Sequence, residues 1–236
     1  MKVITNIFKS SLGKKYIMAV SGLVLFLFVV GHLVGNLQFF LGAESINRYG
    51  HFLQTNVELL WPVRIFLLAM IGLHIWSAIN LSIENKAARP IPYADWNPTT
   101  ASYASRTMLM SGIIIFVFIV FHILHYTVQV QYINFTQHHE NFVTFEDPQK
   151  RHDIFRMMVV GFKNPWVSGF YIIGIGLLCL HLSHGVSSMF QSLGLKNKVY
   201  GPCLDRGSQI IAWLIFLGYV SIPISVLLGY GKEALK

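Results

Sequence analysis

The chain has 236 residues, 54% of them hydrophobic and only 12% charged, with a formal charge of +8. Soluble domains carry about 25% charged residues, so an ordinary soluble domain is excluded and an integral membrane protein is indicated. Nucleic-acid binding is set aside as well, because neither a basic helix nor an aromatic RNA-binding motif accompanies the charge; lysines and arginines holding cytoplasmic loops account for it.

Taken in chain order, the N-terminus "MKVITNIFKSSLGKKY" is basic. The apolar run behind it is far longer than a signal peptide's core of roughly 7–15 residues, so no cleavable signal is expected. Five runs then match the roughly 20 apolar residues needed to cross a hydrocarbon core. Span I is predicted over Tyr16–Phe40 and holds no charge. Span II covers Leu59–Ile83, with Pro62 in the first helical turn and Arg64 near that end. "ENKAARPIPYADWNP" reads as a polar, proline-punctuated inner loop. Span III covers Thr107–Val130, and the 131–164 connection behind it is long enough to form a surface cap. Span IV covers Pro165–Phe190. Span V covers Ser208–Tyr230, with Pro223 as a predicted kink. The fold class is therefore all-α, a single multi-pass membrane domain of five helices; barrel strands would alternate in polarity over about ten residues instead. With the N-terminus inside, the inner segments hold Lys2, Lys9, Lys14, Lys15, Lys86, Arg89, Arg106, Lys196, Lys198 and Arg206. The outer segments hold the remaining basic residues, alongside Glu140, Glu146, Asp147 and Asp153 of the long connection. That bias favours N-inside, C-outside.

The chemistry-bearing residues are histidines. Cys179 and Cys203 are too few for a cysteine-held iron–sulfur cluster or a zinc ribbon, and no Cys-x-x-Cys-His is present. By contrast, four spans carry histidine inside apolar sequence: His32 in I, His74 in II, His122 and His125 in III, His181 and His184 in IV. At about 1.5 Å per residue, His32 lies ~24 Å past Tyr16 and His122 ~24 Å past Arg106, both near the outer face. Spans II and IV run the other way. His74 is ~20 Å from Trp61 and His181 ~24 Å from Pro165, so both lie near the inner face. Two pairs of imidazoles at two depths suit two b-type haems, each held by two axial nitrogens from facing helices. Small residues one turn on, Gly35 after His32, Ser77 and Ala78 after His74, and Gly185 after His181, leave room for a flat ring. His122 lacks them, with His125 and Tyr126 in those positions. A zinc site would gather three or four ligands at one depth. His181 and His184 lie about 60° apart on one helix face, so one iron cannot take both on opposite sides.

The predicted spans contain no Asp or Glu, which argues against the carboxylate relays of pumps and transporters. Glu58 starts span II at the predicted outer face. It reads either as a solvated helix-start carboxylate or as a proton donor and acceptor for a quinone. Asn47, Arg48 and Tyr49 in "INRYGHFLQ" are candidate quinone contacts of the same region. Arg106 is either an inside anchor or a partner for a haem propionate.

The stretches "SSLGKKYIMAVSGL…GHLVGNLQFFLG", "NRYGHFLQ", "LLWPVRIFLLAMIGLHIWSAI", "FHILHY" and "GFYIIGIGLLCLHLSHGVSSMFQSLGL" occur in this order. Together they resemble the cytochrome b subunit of succinate dehydrogenase or fumarate reductase, in its single-subunit, five-helix, two-haem form. The resemblance covers nearly the whole chain. It implies that His32 and His122 hold the distal haem, and His74 and His181 the proximal one. Within the pattern His181 is the ligand and His184 a candidate propionate contact; His122 is preferred to His125. It further implies a flavoprotein subunit, an iron–sulfur subunit on the cytoplasmic face, menaquinone as substrate, and the bacterial inner membrane as location. The chain would act as the membrane subunit of the enzyme, with no dicarboxylate chemistry of its own. Some members carry a buried glutamate just before the span IV ligand, whereas this chain reads "LLCLH" there. A diheme cytochrome b of a nitrate reductase or hydrogenase is the alternative, and a haem-free transporter is the reading of a different class.

Overall fold

The structure, a computed structural model, describes residues 2–89, 91, 101–130 and 150–235. Every regular element among them is helical. In chain order these are α1 (Lys2–Lys9), α2 (Ser11–Leu37), α3 (Ala43–Thr55), α4 (Val57–Ala87), α5 (Tyr103–Arg106), α6 (Met108–His122), α7 (Ile154–Lys163), α8 (Pro165–Ser192) and α9 (Gly201–Leu227). A 3-10 turn, Gln38–Leu41, extends α2, and another, Lys232–Leu235, closes the described chain. α6 continues as a π turn, Ile123–Thr127, in which Val128 N–H donates to the Ile123 carbonyl at 2.8 Å.

Five of these helical stretches are long and apolar enough to cross a membrane: Ser11–Leu41, Val57–Ala87, Met108–Thr127, Pro165–Ser192 and Gly201–Leu227. Between 11% and 33% of the most apolar stretch of each is buried by protein. Side chains such as Leu27, Val34, Leu68, Val117, Ile173 and Leu217 face outward instead. Such surfaces suit contact with lipid, where the helical backbone satisfies its own polar groups. α2, α4 and α9 begin before the apolar runs that announced them, because polar first turns are tolerated where a helix leaves the hydrocarbon. One consequence is a correction. Pro62 is not in the first turn of its helix but inside α4, which starts at Val57. It removes the donor that would have met the Glu58 carbonyl.

The helices sort into two compact units, each assembled from three separate stretches of chain. Unit 1 comprises Met1–Val29, Val63–Gly112 and Leu180–Ala212. In it Lys14, almost fully buried, is paired with Glu84, which also accepts from Ser11 Oγ at 2.8 Å. A second cluster joins Lys196 Nζ to Asp205 at 2.6 Å and to Ser187 Oγ at 3.0 Å. Unit 2 comprises Val30–Pro62, Ile113–Cys179 and Trp213–Lys236. Here α3 and α7 pack on each other, and α7 packs on the C-terminal turn. Phe39, fully buried, stacks on Phe155 at 4.8 Å and meets Tyr230 edge-on at 5.3 Å. Asp153 caps α7 by accepting from Arg156 N–H at 3.0 Å, a device worth about 1 kcal/mol.

Part of the expected surface cap is thus a buried amphipathic helix, α7, with Phe155, Met157, Met158, Val159 and Phe162 inside. Residues 131–149 of that connection, with Glu140, Glu146 and Asp147, lie outside the described residues. So does most of the proline-punctuated loop, at 90 and 92–100.

Candidate functional site

The histidines meet in twos. In unit 1, His74 of α4 faces His181 of α8, with ring centroids 6.4 Å apart and planes at 62°. In unit 2, His32 of α2 faces His122 of α6, at 5.9 Å and 80°. Two imidazoles bound to opposite sides of one metal have centroids about 6.3 Å apart, given metal–nitrogen bonds of about 2.0–2.1 Å and a ring radius of about 1.1 Å. Both pairs stand within about 0.5 Å of that spacing. Among the described residues, no three His, Cys, Asp or Glu side chains converge as a metal site.

The unit 1 rings are oriented by groups that fix their protons. His74 Nδ1 lies 3.2 Å from the Met18 carbonyl, which can only accept. His74 must therefore carry its proton on Nδ1, leaving Nε2 with its lone pair. Ser21 Oγ, 3.3 Å from the same nitrogen, donates its own hydrogen to the Ile17 carbonyl at 2.7 Å and so also accepts from the ring. His181 Nδ1 lies 3.1 Å from Ser111 Oγ, whose hydrogen goes to the Met108 carbonyl at 3.1 Å. With the Ser111 hydrogen on the Met108 carbonyl, the His181 proton lies on Nδ1. Ser21 and Ser111 are almost fully buried. A ring that donates from Nδ1 leaves Nε2 as the nitrogen able to bind a metal. Glycine completes the setting. A Cβ on Gly22 would come within 3.2 Å of His74 Cε1, and one on Gly112 within 3.7 Å of His181 Cε1.

In unit 2 the support is aromatic. Tyr171 of α8 places its hydroxyl 3.3 Å from His122 Nδ1 and 2.9 Å from His125 Nδ1. Phe118 stacks on the His122 ring at 6.2 Å, and Tyr219 lies 6.3 Å from His32. His125 is fully buried against Tyr126, at 4.1 Å, and Phe121, at 5.5 Å. The expected room at Gly35 is filled, because a Cβ there would meet the Tyr49 ring at 2.8 Å. Gly185 is open, its nearest neighbours standing 4.0 Å away.

The remaining candidates fall elsewhere. Glu58 is exposed in the first turn of α4. Arg48 is exposed on α3, and Tyr49 packs on Gly35 rather than standing open. Both polar ends of Asn47 are bound to the start of α7: it donates to Asp153 at 3.0 Å and accepts from Phe155 N–H at 3.0 Å. Its role is to join α3 to α7. Arg106 is exposed at the end of α5. His184 is half-buried one turn past His181, within electrostatic reach of Lys196 and Asp205. Cys179 is buried and Cys203 exposed; neither is in a disulfide.

The residues that sequence reasoning missed are the orienting ones: Ser21, Ser111, Tyr171 and the Met18 carbonyl. A hydroxyl inside an apolar span, at whatever depth a histidine occupies on a neighbouring span, is the signal that could have found the first three. Comparison with protein-family models, with curated proteins and with solved structures finds no match to this chain.

Proposed function

We propose that the chain is a diheme cytochrome b membrane anchor of the succinate dehydrogenase and fumarate reductase type, carrying electrons between an iron–sulfur subunit and a quinone. The observation that carries this reading is the pair of opposed imidazoles in each unit, at 6.4 and 5.9 Å. His74 and His181 would hold one haem, and His32 and His122 the other. A haem bound by two histidines supplies one-electron transfer and leaves no open position for a substrate. The protein's part is to hold the rings. Met18 and Ser21 hold His74 through Nδ1, and Ser111 holds His181 through Nδ1, so that Nε2 is the nitrogen each ring would offer to a haem. The aromatic cluster of Phe118 and Tyr171 packs around the His122 ring and would hold it in place.

The N-inside orientation would place the iron–sulfur and flavoprotein subunits on the cytoplasmic face, beside unit 1. The quinone, menaquinone in the two-haem type, would react beside unit 2, where exposed Glu58 can exchange the protons that quinone reduction requires. Arg48 would be an exposed neighbour of that site; Arg106 and His184 would face propionates in unit 1.

Purification of the complex from its native membrane tests this directly. A reduced-minus-oxidised b-type spectrum and a copurifying flavoprotein and iron–sulfur subunit are expected. A molybdenum or nickel partner would move the chain to the nitrate reductase or hydrogenase alternative, and a spectrum without haem would end the cytochrome reading.

A further inference from the structure

The two units differ in how far geometry fixes the ligand protons. In unit 1 the Met18 carbonyl leaves His74 no choice of tautomer, and Ser111 Oγ holds His181 Nδ1 at 3.1 Å. His122 has a choice. Its Nδ1 shares one tyrosine hydroxyl with His125 Nδ1, at 3.3 and 2.9 Å. That hydroxyl has one hydrogen to give. When one imidazole nitrogen accepts it, the other can donate its own proton to the tyrosine oxygen. Two orders satisfy the three groups. In one, His122 donates from Nδ1 and keeps Nε2 free to ligate. In the other, His122 accepts at Nδ1 and carries its proton on Nε2, where it cannot bind a metal.

We propose that Tyr171 is the positioning residue of the unit 2 pair, and that the chain His122–Tyr171–His125 has one proton order, from His122 Nδ1 to the tyrosine oxygen and from the tyrosine hydroxyl to His125 Nδ1. His125 is thereby the acceptor that holds the tyrosine hydrogen away from His122. The inference rests on the proposed ligand role of His122.

The surroundings of the chain are apolar and closely packed. Tyr171 is 3% exposed and is enclosed by Phe118 at 5.3 Å, Phe162 at 5.1 Å and Tyr126 at 5.7 Å. In so apolar a setting each hydrogen bond that forms is strengthened. The π turn Ile123–Thr127 carries His125 and directly follows His122, and such turns recur at functional sites. α7 closes the cluster: a Cβ on Gly161 would lie 3.2 Å from His125 Cε1 and 2.6 Å from the Tyr126 hydroxyl oxygen. Donation from Nδ1 makes an axial imidazole a stronger electron donor, which favours ferric iron and lowers the reduction potential.

Redox titration of both haems in the purified complex tests the order. Tyr171→Phe should keep two haems and raise one midpoint, by about tenfold in the one-electron equilibrium constant, or about 59 mV, with the other unmoved. His125→Leu removes the acceptor, frees the tyrosine hydrogen for His122 and should raise the same midpoint. His125→Gln retains an acceptor and should stay close to wild type. A purely structural role would not separate the Leu and Gln variants. Two haems whose midpoints ignore Tyr171→Phe overturn the inference. So does a His125→Leu midpoint equal to that of His125→Gln, which decides the matter if Tyr171→Phe does not fold. Absence of haem from the wild-type complex would instead overturn the cytochrome reading itself.

Discussion

The unit 1 and unit 2 histidine pairs have nearly the same spacing but are held by opposite means. His74 rests on the Met18 carbonyl and Ser21, and His181 on Ser111. His122 rests on a tyrosine hydroxyl that it shares with another histidine, inside a shell of phenylalanines. The first device ties each ring separately to one neighbouring helix, His74 of α4 to α2 and His181 of α8 to α6. The second depends on three side chains from α6, its π turn and α8, closed over by α7. Unit 1 should therefore tolerate loss of one hydroxyl, whereas unit 2 should respond as a network in which changes do not add.

The largest way to break the comparison is to remove the rings. His74→Ala or His181→Ala should abolish one haem and spare the other, and His32→Ala or His122→Ala should do the reverse; difference spectra distinguish the two. His184→Ala and His125→Ala should both retain two haems. Loss of haem on His184→Ala with retention on His181→Ala would reassign the unit 1 ligand. Next in size, Glu58→Gln should lower quinone turnover about tenfold or more while haem content and dicarboxylate oxidation with an artificial acceptor stay intact. Unchanged turnover would remove Glu58 from the quinone site and direct attention to unit 1.

A smaller effect sharpens the contrast between the two devices. Ser111→Ala removes a single neutral hydrogen bond, worth about 0.5–1.5 kcal/mol. It should keep both haems and move the unit 1 midpoint by no more than Tyr171→Phe moves the other. The smallest effect concerns the segment before α7. Burial holds the His152 imidazole below its usual value, partly opposed by the neighbouring Asp153 carboxylate. A depressed folded value means that the unfolded chain takes up the proton first. The stability is thus fully present above about pH 6.5 and is lost as pH falls through the folded value. Thermal unfolding in detergent should drop by about 1–2 °C more between pH 7.5 and 5.5 in wild type than in His152→Gln.

The spans and the histidine pairing were legible because both depend on one-dimensional facts. Apolar length marks a membrane helix, and 1.5 Å per residue converts position into depth. His74 and His181 meet on that arithmetic alone. What escaped was everything set by tertiary packing. α3 and α7 are too short and too mixed to announce themselves as spans, although Asp153 before "IFRMMVVGF" carries the pattern of a capped amphipathic helix. The π turn at Ile123–Thr127 has no signature in "ILHYT". Gly35, read as room for a ring, is occupied by Tyr49, because small residues admit whatever neighbour is nearest. Asn47, read beside the quinone, is committed to α7 at both ends.

Haem content per polypeptide is the most direct measurement of the central claim. A pyridine haemochrome assay on the purified chain, set against its protein concentration by amino-acid analysis, should give two b haems, one for His74 with His181 and one for His32 with His122. A value of one, or none, would contradict it.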